Sequence, residues 1–216
     1  MFEKTIIISA LALLSYLVGA IPSGYLLAKI KGVDIRAVGS GNIGATNVYR
    51  CVGKSWGILT FVLDFLKGCL PAALFPLLIE SLTNEPCGPS WALLFGCLAV
   101  AGHNWPVYLC FRGGKGMATG AGALLGFAPL VMLVGVGSWI ILFLATRYVS
   151  VASILAAIII AVAAWPIHAG NSLIPAALTL MSLLIIWRHR SNIKRLLAGT
   201  EYRFKFTRKT QSNTGT

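Results

Sequence analysis

The sequence predicts an all-α, polytopic membrane protein of about seven transmembrane helices, with the N-terminus outside and the C-terminus in the cytoplasm. Three observations carry that expectation. Apolar residues make up 57% of the 216 and charged residues only 11%, and the mean hydropathy of +0.81 lies outside the range of soluble domains. The apolar residues fall in runs of the length that crosses a bilayer core, about 20 residues of helix for roughly 30 Å. All but Lys4 and Lys67 of the 18 Lys and Arg lie in the connections, and excess cations mark the cytoplasmic side. The net charge of +12 therefore reflects topology and attraction to anionic lipid rather than a nucleic-acid footprint.

The first segment, Thr5–Lys29, is read as a retained span, because no small-residue cleavage site follows its apolar run. Pro22-Ser23 predicts a kink near its inner end. A polar loop, 31–54, follows. The second segment, Ser55–Leu82, carries Asp64 and Lys67 three residues apart on one helix face, where they can neutralise one another. The third, Trp91–Cys110, contains Gly102-His103-Asn104-Trp105-Pro106 near its inner end. From Met117 to Thr146 the chain is too long for one helix and too short for two full spans. Ala128-Pro129 there predicts a hairpin of a short helix, Met117–Phe127, and a fuller one, Leu130–Ala145. Val151–Ile167 and Leu173–Trp187 complete the seven, and the residues after Arg188 continue the last helix. Merging 117–146 into one crossing would put the basic connections on opposite faces, so the charge pattern favours the hairpin. A single domain over 1–206 is expected, followed by a polar, disordered tail over 207–216. The five cysteines show neither metal-ligand nor disulfide spacing, and no metal site is expected.

The longest polar run before the tail is Gly39-Ser40-Gly41-Asn42-Ile43-Gly44-Ala45-Thr46-Asn47-Val48-Tyr49-Arg50. Gly39, Gly41 and Gly44 permit positive φ and an inward row of amides, an anion nest. Ser40, Asn42, Thr46 and Asn47 add short hydrogen-bonding side chains, and Arg50 a planar cation suited to phosphate. A second basic connection, Gly113-Gly114-Lys115-Gly116, sets a lysine among glycines just before a helix. It does not satisfy the spacing of an ATP-binding P-loop. His189 and Asn192 share a helix face three residues apart, as do Ser150 and Ser153. His103 sits at the inner end of the third segment, and polar groups at membrane depth are functional candidates. None of the six carboxylates lies in either glycine loop, so a two-carboxylate mechanism or an acidic metal cage is poorly supplied. These features describe a membrane-embedded cytoplasmic pocket for one or two phosphorylated ligands, consistent with a lipid-biosynthetic transferase. A transporter or receptor for an organic phosphate is the alternative use of the same pocket.

The first polar run, with Gly32-Val33-Asp34-Ile35-Arg36 before it, resembles the first motif of the bacterial acyl-phosphate:glycerol-3-phosphate acyltransferases, the PlsY family. Asp64-Phe65-Leu66-Lys67-Gly68, Gly102-His103, Phe111-Arg112-Gly113-Gly114-Lys115-Gly116 with Ala118-Thr119, Arg147-Tyr148-Val149-Ser150 and Arg188-His189-Arg190-Ser191-Asn192-Ile193 resemble the family's later motifs in the same order. The resemblance implies a seven-span inner-membrane enzyme with its active site facing the cytoplasm, moving a fatty acyl group from acyl phosphate to the 1-hydroxyl of glycerol 3-phosphate. Lysophosphatidic acid and inorganic phosphate would be the products. It implies no cofactor, no metal, and neither acyl-CoA nor acyl carrier protein as donor. The implied partners are the lipid bilayer, the two substrates and the peripheral enzyme that makes acyl phosphate.

Ser40, Arg50, Lys115 and His189 are the expected catalytic residues. Gly41, Asn42, Gly44, Ala45, Thr46, Asn47, Gly113, Gly114, Gly116, Ser153 and Asn192 are the expected substrate-binding residues, with His103, Asp64, Lys67 and Ser150 as further candidates. Ser40, Asn42, Ala45 and Thr46 with Ser153 are assigned to the acyl phosphate, and Arg50, Lys115, His189 and Asn192 to glycerol phosphate. Direct attack without an acyl-enzyme is expected, since acyl phosphate is already activated. The base is either a substrate phosphate, as the resemblance implies, or His189.

Overall fold

A computed structural model of the chain describes residues 2–204, and the expected tail over 207–216 lies outside the described residues. The described chain is all α-helix apart from turns and one 3₁₀ turn. In order, the helices are α1 (Phe2–Ala20), α2 (Ser23–Ile30), α3 (Ala45–Cys51), α4 (Lys54–Thr83), α5 (Pro89–Asn104), α6 (Met117–Phe127), α7 (Pro129–Thr146), α8 (Val149–Ile167), α9 (Leu173–Arg188) and α10 (Arg190–Leu197), with the 3₁₀ turn at Val107–Leu109.

Each of the seven apolar segments is helical, with differences that trace to particular residues. The first is divided at Ile21-Pro22, where proline lacks the amide that would continue the ladder. At this break the carbonyl of Ile21 accepts from the Ser23 amide at 3.0 Å and from Lys67 Nζ at 2.8 Å, and the same ammonium lies 2.8 Å from Asp64 Oδ1. The Asp64–Lys67 pair therefore does what its spacing predicts and also ties α4 to the kink in the first segment. The third segment leaves the α-helix at Asn104, six residues before its expected end, because Pro106 disfavours the helical conformation at Trp105, which has φ −131° and ψ 66°. The polar loop is not loop throughout, since Gly44 opens the two-turn helix α3. The last helix does not run on past Arg188 but bends by 51° into α10.

By length and composition five stretches of the described chain can cross a membrane: Glu3–Ile30, Lys54–Thr83, Pro89–Leu109, Pro129–Thr146 and Val149–Ile167. The bent pair α9–α10 makes a sixth. α6 has 11 residues, about 16 Å at 1.5 Å per residue, half the thickness of an apolar bilayer core. It needs no more, because it is sheathed by protein: Thr119, Gly120, Gly122, Ala123, Leu124 and Phe127 are buried.

Small residues make that sheathing close. A Cβ on Gly122 would fall 1.9 Å from the Phe65 carbonyl oxygen, and one on Gly68 2.0 Å from that of Thr119, so α4 and α6 meet backbone to backbone. Gly19 meets the backbone of Ala99, and Gly102 that of Tyr16, in the same way between α1 and α5. Close approach through small residues is how helices associate where lipid removes the hydrophobic drive. The large apolar side chains point outward instead: Leu13, Leu133, Ile141, Val162 and Leu180 are 61–69% exposed.

Gly122→Val and Gly68→Val should each lower the thermal unfolding midpoint of the detergent-solubilised protein by many degrees, since overpacking costs about 1–3 kcal/mol even where side chains can yield. Gly137→Val, on an open face of α7, should leave it unchanged. Scanning fluorimetry on the three variants checks this.

Candidate functional site

Four connections that are remote in sequence close around one cavity of about 420 Å³. The first polar loop and α3 contribute Ser40, Asn42, Gly44, Ala45, Thr46, Asn47 and Arg50. The glycine loop and the start of α6 contribute Lys115 and Gly116. Ser150 and Ser153 come from the start of α8, and His189 and Asn192 from the α9–α10 bend, with Asp64 and His103 reaching the cavity from α4 and α5. The basic connections expected on one face thus share one site.

The first loop is built largely from its own hydrogen bonds. Gly39 and Gly41 have φ of 62° and 68°, as expected for a turn of alternating hand. Gly44 does not, with φ of −74°. Its amide donates to Asn42 Oδ1 at 2.9 Å. The Ser40 amide donates to Asn47 Oδ1 at 2.9 Å, and the Gly41 amide to the Val38 carbonyl at 3.0 Å. Three amides of the row predicted for Gly39–Gly44, those of Ser40, Gly41 and Gly44, are therefore committed to the loop itself. The amides opening α3, at Ala45 and Thr46, come ahead of the first intrahelical bond, from the Asn47 amide to the Gly44 carbonyl. Asn47 is a buried organiser: its amide nitrogen donates to the Ile35 and Val38 carbonyls at 3.1 Å each. Arg50 lies with its guanidinium 4.5 Å from the Tyr202 ring centroid. Its buried Nε has no hydrogen-bond partner among the described residues, leaving a donor beside the cavity.

The glycine loop is seated on His103. The Gly114 amide donates to the His103 carbonyl at 3.0 Å, and a Cβ on Gly114 would fall 1.9 Å from His103 Nε2. Gly113 and Gly114 therefore stand behind the cavity rather than in it, and Gly116, with φ of 81°, turns the chain into α6. Arg188 straps this arrangement. Its Nε donates to the Gly114 carbonyl at 3.0 Å, and its Nη2 to the Gly113 carbonyl at 2.9 Å and the Asn104 carbonyl at 3.2 Å. Lys115 is left pointing forward, with Nζ donating to Asn192 Oδ1. Burial pushes the Lys115 ammonium down to about 8; Glu201 opposes that shift, and Arg195, Arg188 and Arg50 reinforce it.

Glu201 was not among the expected residues, yet it joins α8 to α10. Its Oε1 accepts from Asn192 Nδ2 at 2.7 Å and Ser150 Oγ at 2.8 Å, and its Oε2 from Arg195 Nε at 2.8 Å. Burial opposes its charge, but these three donors hold the carboxyl below the usual range. With Asp64 it corrects the expectation that carboxylates are scarce here: two border the cavity. Both are occupied by cations or donors, so neither is set up as a base. The sequence signal was available, because Glu201 is the only acidic residue after Glu85 and stands among tail cations. Trp139 and Tyr202 also line the cavity unforeseen; Trp139 Nε1 donates to Ser153 Oγ at 3.1 Å.

His189 is buried with Nδ1 2.8 Å from the Ile185 carbonyl oxygen. A carbonyl only accepts, so Nδ1 carries the proton, and Nε2 of the neutral ring keeps a lone pair. Gly41 borders only a second, polar cavity beside the first. Lys67, bonded to Asp64 and the Ile21 carbonyl, is not a wall of either.

Away from its polar mouth the main cavity runs between α6, α7, α8 and α9 past Leu124, Met132, Val136, Ile160, Leu178 and Ile185. Helix N-termini and cations suit phosphate, and the apolar extension suits an acyl chain. The fold and site together define a membrane-embedded enzyme site for a phosphorylated head joined to hydrocarbon. Residues 9–199 match the family model described as glycerol-3-phosphate acyltransferase, and the chain belongs to that family. It is 46% identical over 199 residues to a glycerol-3-phosphate acyltransferase of Aquifex aeolicus, covering 90% of this chain and 97% of that one. It is 42% identical over 202 residues to that of Geobacter sulfurreducens, covering 90% and 96%. Among solved structures it resembles PlsY, an integral membrane glycerol 3-phosphate acyltransferase, in its glycerol 3-phosphate form, with a TM-score of 0.81 and 41% identity over 92% of this chain and 96% of that one. The lysophosphatidic acid form of PlsY gives 0.78 and 40% over 92% and 95%. Membership in this family sets aside the transporter reading.

With Lys115 titrating near 8, kcat/KM should have an alkaline limb there, falling as the ammonium loses its proton. Lys115→Arg, which stays charged, should move that limb upward by more than one pH unit. A pH profile of the two enzymes checks the assignment.

Proposed function

We propose that this enzyme transfers a fatty acyl group from acyl phosphate to the 1-hydroxyl of glycerol 3-phosphate, giving lysophosphatidic acid and inorganic phosphate. The observation that carries the proposal is the continuity of the site. One end gathers Arg50, Lys115 and the first residues of α3, α6 and α8, and the other is hydrocarbon. The relatives' name supplies the acceptor, and the reading of two phosphates follows from two separately built loops. The chain is placed in the cytoplasmic membrane with seven membrane segments, α6 included, N-terminus outside and the cavity mouth facing the cytoplasm. Its support is that the connections sharing the cavity carry most of the Lys and Arg.

In the proposed reaction the glycerol 1-hydroxyl attacks the acyl carbonyl carbon. The new ester C–O bond forms, the C–O bond to phosphate breaks, and the hydroxyl proton leaves on the departing phosphate. The Ser40–Thr46 loop holds the acyl phosphate with Ser153, while Arg50 and Lys115 hold glycerol phosphate and screen the crowded charge. His189 Nε2, with its lone pair facing the site, accepts a hydrogen bond from a glycerol hydroxyl. Asn192 keeps Lys115 in place. Acyl phosphate is already a mixed anhydride, so a covalent acyl-enzyme gains little.

Purified protein supplied with palmitoyl phosphate should release inorganic phosphate only when glycerol 3-phosphate is present, with lysophosphatidic acid identified by mass. Phosphate release indifferent to glycerol 3-phosphate would refute the transfer. Thr46→Ala and Lys115→Ala should lower kcat/KM by roughly 10²–10³. Near-full activity of Ser40→Ala would remove Ser40 from the site.

A further inference from the structure

The second cavity, of about 200 Å³, is a polar space lying against the first. The two share three residues, Ser40, Asn42 and Lys115. Beyond that common wall the second cavity is bounded by Arg188, Arg190 and Arg195 and has no carboxylate in its lining. Four cations around so small a space repel one another unless an anion sits among them. The contacts of Arg188 and Arg190 hold them in place without neutralising them, and of the four only Arg195 has a carboxylate partner among the described residues. Arg188 bonds three carbonyls, Arg190 lies over the Trp187 ring at 4.3 Å, and Arg195 pairs with Glu201 behind the wall. The apolar part of the first cavity offers lysophosphatidic acid a path between helices, but it is closed to a phosphate dianion by the cost of desolvation. The phosphate product needs a polar route, and it is released against the Ser40–Asn42 wall.

We propose that the second cavity is an exit site for inorganic phosphate, which passes from the Ser40–Asn42 loop across Lys115 onto Arg188, Arg190 and Arg195. The proposal rests on the transfer reading above and deepens it: one cavity handles the acyl group and the other the leaving phosphate. The exposed Arg190 is the outermost member, and nothing in the reacting cavity touches it. Lys115, common to both spaces, follows the phosphate from one to the other. Its buried ammonium, depressed by burial and by Arg195 and Arg188, is restored to full charge when phosphate arrives.

The test is product inhibition by inorganic phosphate, with lysophosphatidic acid formation as the readout. Loss of one exposed charge contact such as that of Arg190 is at most about 1 kcal/mol, or about fivefold in affinity. Arg190→Gln should therefore raise the phosphate inhibition constant about fivefold, and Arg190→Glu further. KM for both substrates and the initial rate without phosphate should stay within twofold. An inhibition constant unchanged in Arg190→Glu would overturn the proposal. So would a matching rise in KM for glycerol 3-phosphate, which would make the cavity an entrance for that substrate. Broadening of the phosphorus resonance of inorganic phosphate by resting wild-type enzyme, weakened in Arg190→Glu, is expected independently of turnover. Repeating the inhibition series in nanodiscs of neutral and of anionic lipid separates free phosphate from headgroups. Equal Arg190 effects in both are expected, and an effect confined to anionic lipid would assign the cavity to headgroups instead. Absence of lysophosphatidic acid with wild type would strike the transfer reading, whereas the resonance measurement would still decide the phosphate site.

Discussion

The site depends on one guanidinium. Between the end of α5 at Asn104 and the start of α6 at Met117 the chain makes no α-helix, so carbonyl groups are left without ladder partners beside the membrane. Arg188 collects three of them, those of Asn104, Gly113 and Gly114, on two nitrogens of one planar group. Each buried carbonyl without a donor costs free energy comparable to a lost hydrogen bond. A lysine would reach the same place as a point charge without the fork. Because Arg188 ends α9 and His189 begins the bend, the group that fixes the glycine loop also fixes where His189 and Asn192 stand.

From that strap the division of labour follows. Helix packing is backbone against backbone at Gly68, Gly122, Gly19 and Gly102, which leaves the large apolar side chains for lipid and for the acyl-shaped extension of the cavity. The Asp64–Lys67 pair is not a reactive dyad in this arrangement. Lys67 serves the Ile21 carbonyl at the break before Pro22, and Asp64 neutralises Lys67 while lying 3.7 Å from His103 Nδ1, beneath the glycine loop. Polar groups at membrane depth thus act in two layers. The lower layer holds the floor, and the upper layer of Arg50, Lys115, His189 and Asn192, with Asn192 tied to Lys115 and Glu201, lines the cavity.

Much of this was legible in the chain. Runs of about 20 apolar residues and cations confined to connections gave the helices, and the i,i+3 spacing gave the Asp64–Lys67 pair. The short polar segments gave the loops that meet at the cavity. What escaped has physical reasons. That the Ser40, Gly41 and Gly44 amides are spent within the loop was not foreseeable, because Asn47 reaches back across the loop to claim the Ser40 amide. The bend at His189 has no proline or glycine to announce it; it falls beside Arg188, whose three carbonyl partners are remote in sequence. Glu201 escaped because its meaning lies in three donors from α8 and α10, a coincidence in space with no local pattern. Gly113 and Gly114 looked like phosphate ligands, and space shows them to be the seat on His103.

The central claim is that two phosphate-bearing substrates occupy one cavity together, so that the acyl group passes directly between them. Initial rates measured over a grid of acyl phosphate and glycerol 3-phosphate concentrations test it most directly. The account predicts reciprocal plots that intersect, the pattern of a ternary complex. Parallel lines, the pattern of an acyl-enzyme formed before the acceptor binds, would contradict it.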